Sequence, residues 1–472
     1  MSLLAAPFLL AWALTGQAPS LPDAPAPSPS PSAEPAAPAA PALPEPELSP
    51  EPSAEPMSLE ERMARVEAEL AQRDLALPPQ SPITISGYLD FGFFMPEGDG
   101  SGIVQDNGEQ LLRTLRPKDV GKYAWVFLGD ILAPTVNSRG EAADLGPSPG
   151  VDRFDSVHSG GALGFLLNEA NLTIDAGFGS RARATMSVDF FPRSGQEFSL
   201  GDWFDLDLAQ LEVIVFEDTP TSLFVGKIEP VFGIEYKRRK ASARFGITPS
   251  LVARYTTGSQ LGVKARSKVF GGWLILAAAL TNQSATQEQF HFSEEVDRND
   301  GKTVSGRLAL HIPLNELLPE VFSGALEIGG DALYGPQDRA RDSDGNFLLY
   351  GADFEYQGVD LAVRGQVVAG SSPGRAVDRA YALELNPSGY VEIEYMFLPM
   401  LGALVRGELR DAWVSLGTER AYLTKAWRLT GGLRFVFSRN IVLKAEYLHN
   451  GEYGGLPEIK DDVFTSSLVV SY

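Results

Sequence analysis

The 472-residue chain has no cysteine, so it can form no disulfide, no thiolate metal site and no lipoprotein acylation site. Beyond its N-terminus it also lacks any apolar run of the roughly 20 residues that a membrane-spanning helix needs. Its four histidines, His158, His291, His311 and His449, form neither an H-x-x-x-H nor an H-E-x-x-H pair, which argues against a transition-metal centre and metal-dependent hydrolysis. Bases are scarce, with 39 Lys and Arg against 61 Asp and Glu and a net charge of -22, so a broad polyanion-binding surface for nucleic acid is disfavoured. Yet 44% of the residues are hydrophobic. Two classes remain: a large soluble β-protein, or a barrel whose lipid-facing residues alternate with polar ones.

The charge is unevenly spread. Residues 1–77 hold 11 acids and 3 bases, leaving 50 acids and 36 bases on 78–472. Within 1–18 lies the apolar run LLAAPFLLAWAL, followed by small residues Gly16 and Ala18, the pattern of a secretory signal peptide; it has no Lys or Arg before the run, and Pro19 would follow the cut. Residues 19–57 are dominated by Pro, Ala, Ser and Glu, a composition that cannot bury apolar area and forms an extended spacer. Ser58 to Glu61 then reads as a capping box opening a helix over 58–77. Leu59, Met63, Val66 and Leu70 place a coiled-coil seam along that helix, and Pro78 and Pro79 end it. It is either a small oligomerising stalk or a solvated helix. Export puts linker and helix in the periplasm.

From Ile83 onward, apolar and polar residues alternate in segments of about ten, the pattern of an all-β antiparallel transmembrane barrel spanning 78–472. Phe464, Leu468, Val470 and Tyr472 share one face of the last segment, opposite Thr465, Ser467 and Ser471. Trp427, Leu429, Leu433, Phe435 and Phe437 likewise back onto Arg428, Thr430, Arg434 and Ser438. A β-sandwich also alternates, but a face this rich in Arg and Glu suits water inside, and aromatics near strand ends suit lipid outside. Short turns fall near 177–180, 218–221, 267–271, 357–360, 398–402 and 438–440, with a longer one at 314–322. Seven turns join fourteen strands; with a first strand from Ile83 to Met95 and a last from Val463 to Tyr472, sixteen are expected, both chain ends in the periplasm. Residues 96–162 are treated as one long outer loop, and eighteen strands follow if that loop crosses the membrane with an additional partner.

Three features resemble the porin superfamily, in particular its phosphate-selective porin O/P-like group. One is LFVGKIEPVFGIEY from Leu223 to Tyr236, similar to the family's G-K/Q-F-x-x-P-F-G-x-E segment, with the proline displaced to Pro230. Another is LVARYTTGSQLGVKA, where Arg254 and Gly262-Val263 resemble a return strand. The third is the terminal aromatic Tyr472, which with Phe464, Leu468 and Val470 implies recognition by the barrel-assembly machinery. The resemblance implies a pore, often a homo-trimer, in the bacterial outer membrane among its lipids and lipopolysaccharide.

In many porins the third outer loop folds inward. Here it runs from about Phe232 to Ser250 and carries Lys237, Arg238, Arg239, Lys240 and Arg244, five bases in eight positions of an acidic protein. Bases in a narrow passage favour anions such as phosphate; a solvated loop touching lipopolysaccharide phosphates is the alternative. Strand periodicity adds Arg181, Arg183, Arg254, Lys264, Arg266, Arg364, Arg406, Arg410, Arg428, Arg434 and Lys444 to the lumen face, with Glu392, Glu394, Glu408 and Glu446. Such a lumen either sets a transverse field across a diffusion pore or is a set of ion pairs bracing a closed barrel. Register decides which charges meet.

The leading expectation is passive diffusion of small hydrophilic solutes, without a cofactor and without catalysis. Two other classes stay open. The N-terminal segment could bind peptidoglycan and make the barrel an anchor. An outer-membrane lipid hydrolase could use His449, although no nucleophile motif accompanies it. The acidic loop DRARDSDGN could hold Ca²⁺, but its spacing departs from an EF-hand and lacks the closing Glu.

Overall fold

The structure is a computed structural model that describes residues 83–96, 164–190, 204–216, 220–282, 300–336, 346–376, 379–416, 419–453 and 462–472. Sixteen antiparallel strands close into one barrel in which each strand pairs with its sequence neighbours and the first pairs with the last. They are β1 (Ile83–Pro96), β2 (Gly164–Phe178), β3 (Ala182–Phe190), β4 (Phe204–Phe216), β5 (Thr221–Ile228), β6 (Gln260–Val269), β7 (Leu274–Thr281) and β8 (Thr303–Ile312). The ring continues with β9 (Ala325–Pro336), β10 (Asn346–Gln357), β11 (Leu361–Ala376), β12 (Arg379–Leu398), β13 (Leu401–Leu416), β14 (Glu419–Ser438), β15 (Ile441–Glu452) and β16 (Val463–Ser471). Because β1 bonds directly to both β2 and β16, the ring has no gap for another strand pair, so sixteen strands hold rather than eighteen.

Closure follows from register. Phe91 faces Leu468 across the β1–β16 seam and Leu167 across β1–β2, which keeps apolar side chains on one surface of all three strands. That surface is the outside. Leu429, Leu433, Phe435 and Phe437 are exposed along β14, while Arg428 and Thr430 between them are buried. The exterior is therefore an apolar band, the lipid-facing surface of a transmembrane barrel. Phe178, Phe216, Phe397, Phe437 and Tyr472 ring its short-turn end, and Phe165, Phe190, Tyr334, Tyr350 and Tyr447 its long-loop end, the two levels where aromatic rings meet headgroups. Every expected short turn joins its strands where alternation breaks, and the longest, between β8 and β9, holds a helical turn, Leu314–Leu317.

No helix among the described residues is long and apolar enough to cross a membrane. The segments expected at 1–18, 19–57 and 58–77, the acidic loop, His158, His291 and nearly all of the long loop 96–162 lie outside the described residues.

Candidate functional site

A ring of sixteen strands is wide enough for an aqueous channel unless something fills it. The segment between β5 and β6 folds into that ring, and its backbone and side chains bond to β2–β4 and to β9–β15. It leaves β5 after Ile228, the last residue paired with β6; just before, Gly226 takes a φ of +124°, and a Cβ there would sit 2.1 Å from the Ala209 carbonyl oxygen. Ile228 and Val231 then pack on Phe224 and Ala279 of the wall. Gly233, at φ +79°, aims its N–H at Asp331 of β9 (3.1 Å), and the Ile234 N–H reaches Gln366 of β11 (3.3 Å).

The basic run follows, and consecutive residues reach different walls. Lys237 pairs with Glu327 of β9 at 3.0 Å and Glu355 of β10 at 3.9 Å. Arg238 bonds to Glu355 (2.8 Å) and Gln357 (2.7 Å), and lies 3.5 Å from Glu394 of β12. Arg239 pairs with Asp207 of β4. Since β4 and β12 are eight strands apart in a ring of sixteen, these two arginines tie the loop to opposite walls. Lys240 donates to the hydroxyls of Thr173 on β2 (3.0 Å) and Ser187 on β3 (2.8 Å). Arg244 turns back on the loop itself, donating to the carbonyls of Ile247 (2.6 Å), Arg238 (3.4 Å) and Arg239.

The return limb is held by buried charges acting on backbone. Lys444 donates to three carbonyls, Ala241 (2.7 Å), Arg244 (2.6 Å) and Gly246 (3.0 Å), and Arg434 adds a second bond to Arg244 (3.2 Å). Glu446 accepts the N–H groups of Ile247 (2.6 Å) and Thr248 (2.9 Å) and the Thr248 hydroxyl (2.8 Å). Glu408 accepts the Leu251 N–H (2.6 Å), and Arg406 donates to the Thr248 (2.9 Å) and Pro249 (3.2 Å) carbonyls. Arg406 is itself bridged to Glu392 (3.0 Å) and Glu408 (2.7 Å), and Arg364 to Glu392 (3.3 Å) and Glu394. Arg410 reaches the Leu251 carbonyl (3.4 Å), and Arg428 bonds to Asn450 (2.8 Å). Most of these are charge-assisted bonds from buried side chains, where leaving a group unpaired costs most.

The charged positions named on β6 and β11–β15 thus point inward, and Glu394, Arg406, Glu408, Arg410, Arg434, Lys444 and Glu446 of β12–β15 reach the loop. Two expectations fail: Arg181 is exposed in the turn before β3 begins at Ala182, and Arg254 lies on no strand, because the chain winds into a helical turn, Ala253–Thr256, before β6 begins at Gln260. The Thr257 hydroxyl and N–H cap the Ala253 carbonyl at that turn, which a polar-apolar alternation cannot reveal. The side chain of Arg254 lies outside the described residues. Asp207, Asp331, Glu327, Glu355 and Gln366 were not singled out from the sequence, although alternation puts them inward: Glu327 and Asp331 flank Gly329 on the face opposite Ile328 and Gly330. A further buried cluster stands on Arg307, bonded to Asp331 (3.2 Å), Glu327 (2.9 Å) and Asp353 (2.7 Å).

His449 sits apart, exposed on the outer surface near the long-loop end. Its Nδ1 lies 2.7 Å from Asp462, which also accepts from the Tyr447 hydroxyl (2.7 Å) and the Asn450 N–H (2.9 Å). Partial burial opposes the Asp462 charge, but those hydrogen bonds and the imidazole hold its carboxyl below the usual range. Among the described residues no serine bonds to His449, so the dyad has no nucleophile in place.

No protein-family model and no curated protein matches the chain. Among solved structures, the outer membrane channel DcaP of Acinetobacter baumannii is similar at 11% identity over 83% of this chain and 97% of its own, with a TM-score of 0.47. OmpT of Vibrio cholerae is similar at 10% identity over 84% and 100%, TM-score 0.44. An anion-selective porin from Comamonas acidovorans is similar at 9% over 83% and 98%, TM-score 0.44.

Proposed function

We propose that this chain is an outer-membrane channel for passive diffusion of small hydrophilic solutes, with a weak preference for anions such as phosphate. The observation that carries the reading is the third loop, folded into a barrel wide enough to conduct and tied to the wall by ion pairs whose bases stand in front of their carboxylates. Side-chain exposure is 35% for Lys237 against 13% for Glu327, 22% for Arg239 against 3% for Asp207, and 24% for Arg238 against 7% for Glu394. A solute entering the bore meets guanidinium and ammonium groups first. Each base is largely compensated by the acid behind it, which keeps the preference weak.

The apolar exterior, the two aromatic levels and the pairing of the start of β1 with Tyr472 at the short-turn side support insertion with that side in the periplasm. We further propose a homo-trimer, each barrel inserted by the barrel-assembly machinery through the C-terminal signal at Phe464, Leu468, Val470 and Tyr472. Purified protein in a planar bilayer under a KCl gradient tests the function: discrete conductance is expected, with a reversal potential displaced toward chloride. Absence of conductance from correctly folded protein would sink the reading.

A further inference from the structure

We infer that the tips of the short turns from β6–β7 round to β12–β13 form a lipid-inserting rim, in which Phe270, Trp273, Leu317, Leu318, Val321 and Met400 enter the phospholipid leaflet that meets the short-turn end. Such a rim belongs to the outer surface and does not require that the bore conduct.

The short-turn end is divided in two. At the β2–β3 tip the exposed residues are Gly179, Ser180 and Arg181, and at the β14–β15 tip they are Ser438, Arg439 and Asn440. There the apolar exterior gives way to residues that prefer water. From β6 to β13 the tips are apolar instead. Phe270 is 80% exposed and Val321 72%, while Trp273, Leu317, Leu318, Leu398 and Met400 are each about half exposed. The Val359 N–H donates to the Ser323 hydroxyl (3.2 Å), and the Phe322 ring meets Tyr356 edge-on at 5.9 Å, which joins the β8–β9 and β10–β11 turns into one surface.

The turn between β6 and β7 holds three successive residues at positive φ: Phe270 at 53°, Gly271 at 69° and Gly272 at 96°. Glycine takes that conformation freely, a bulky aromatic rarely. Among the described residues Phe270 is the single non-glycine residue so placed. The strain is not repaid inside the barrel, which leaves the ring 80% exposed, and lipid is the medium that an additional apolar ring at this level meets. A Cβ at Gly271 or Gly272 would meet nothing within 4 Å, so the turn stands clear of the other described residues. The flanking strands are short, 10 and 8 residues, against the roughly 9–11 that span a bilayer. An apolar turn lengthens the lipid-facing height at that place.

The turn between β8 and β9 is two-sided. The Leu318 N–H donates to the Leu314 carbonyl (2.7 Å) and the Phe322 N–H to the Leu318 carbonyl (3.0 Å), which gives the turn a helical spacing. Leu317 and Val321 stand four apart, as do Glu316 and Glu320, so apolar and acidic residues take different sides. A segment with that division lies in the headgroup plane with its apolar side toward the acyl chains. Residues 313–324 carry no base, so burial of apolar area rather than attraction to anionic headgroups drives the contact. Lipid is the occupant because the rim continues the lipid-facing band. On β12, Tyr395 and Phe397 meet edge-on at 5.0 Å and lead directly into Leu398 and Met400, with no polar residue between Phe397 and Met400.

The chain has no cysteine, so an introduced one reports its own position without background. Full-length protein carrying Phe270→Cys, Leu318→Cys, Ser180→Cys or Asn440→Cys is spin-labelled and folded into vesicles of phosphatidylethanolamine and phosphatidylglycerol. Each label is probed for collision with oxygen, which concentrates in lipid, and with a nickel chelate, which stays in water. The oxygen-to-nickel ratio is expected to be several-fold higher at 270 and 318 than at 180 and 440. Equal ratios at all four positions would overturn the rim. Low collision with both probes at 270 and 318 would overturn it as well, because a protein surface, such as a second copy of this chain, would then cover the tips. Phe270→Asn supplies a test by sign that needs no label. Asparagine tolerates a positive φ, so if the ring stands in water the variant unfolds from the same vesicles at an unchanged or higher denaturant midpoint. A lowered midpoint is the result expected of a ring held in lipid.

Discussion

Replacing Glu446 separates the stability of the loop from that of the barrel. Its carboxylate is 1% exposed and is the acceptor for two backbone N–H groups and one hydroxyl of the return limb, at 2.6, 2.9 and 2.8 Å. Glu446→Ala leaves these donors buried without an acceptor at about 1–3 kcal/mol each, partly offset because a buried charge is also removed. A net loss of about 3 kcal/mol multiplies the population of the detached loop about 150-fold. The β15 backbone ladder to β14 and β16 does not involve this carboxylate, so unfolding of the barrel should shift little. Single-channel recording should show more frequent and larger openings, and trypsin should cut at Arg238, Arg239 or Lys240 in the variant while sparing the native protein. Glu446→Gln, which keeps one acceptor oxygen, should fall between the two. Unchanged openings together with unchanged trypsin resistance would refute the claim that these bonds hold the loop.

Neutralising Lys237, Arg238, Arg239 and Lys240 together uncovers Glu327, Glu355, Glu394 and Asp207, so the reversal potential under a KCl gradient should move toward potassium; no movement would remove the loop from selectivity. Gly226→Ala puts a Cβ 2.1 Å from a carbonyl at a φ of +124° and should cost about 3 kcal/mol, read as a lowered midpoint in denaturant unfolding from detergent. Deleting Tyr472 removes its N–H bond to Gly87 (3.0 Å) and the weaker return bond (3.4 Å), a loss of about 2 kcal/mol in refolding. In cells the same deletion should reduce assembled barrel far more than that, and equal effects in both assays would refute its role as an assembly signal.

Much of the barrel was legible because a strand with lipid on one side and polar filling on the other must alternate, and each break in alternation marks a turn. The inward aim of Arg364, Arg406, Arg428, Arg434, Lys444, Glu392, Glu408 and Glu446 follows from that period alone. Arg254 was misread because a helical turn interrupts the period just before β6. Partnership was not legible at all. Nothing in the run Lys237–Arg238–Arg239–Lys240 indicates that neighbouring residues reach β10, β12, β4 and β3, since that depends on where the loop lies in the cross-section.

The sequence by itself therefore determined an antiparallel ring of about sixteen strands, its two faces and the basic character of the third loop, all properties of local period and composition. Only the tertiary structure decided that Lys237, Arg238 and Arg239 are countered by wall carboxylates, and that Lys240 and Arg244 are held by hydroxyls and carbonyls instead. Both depend on distances between residues up to 156 positions apart, and the energy of a charge is set by what lies within a few ångströms of it rather than by its neighbours in the chain.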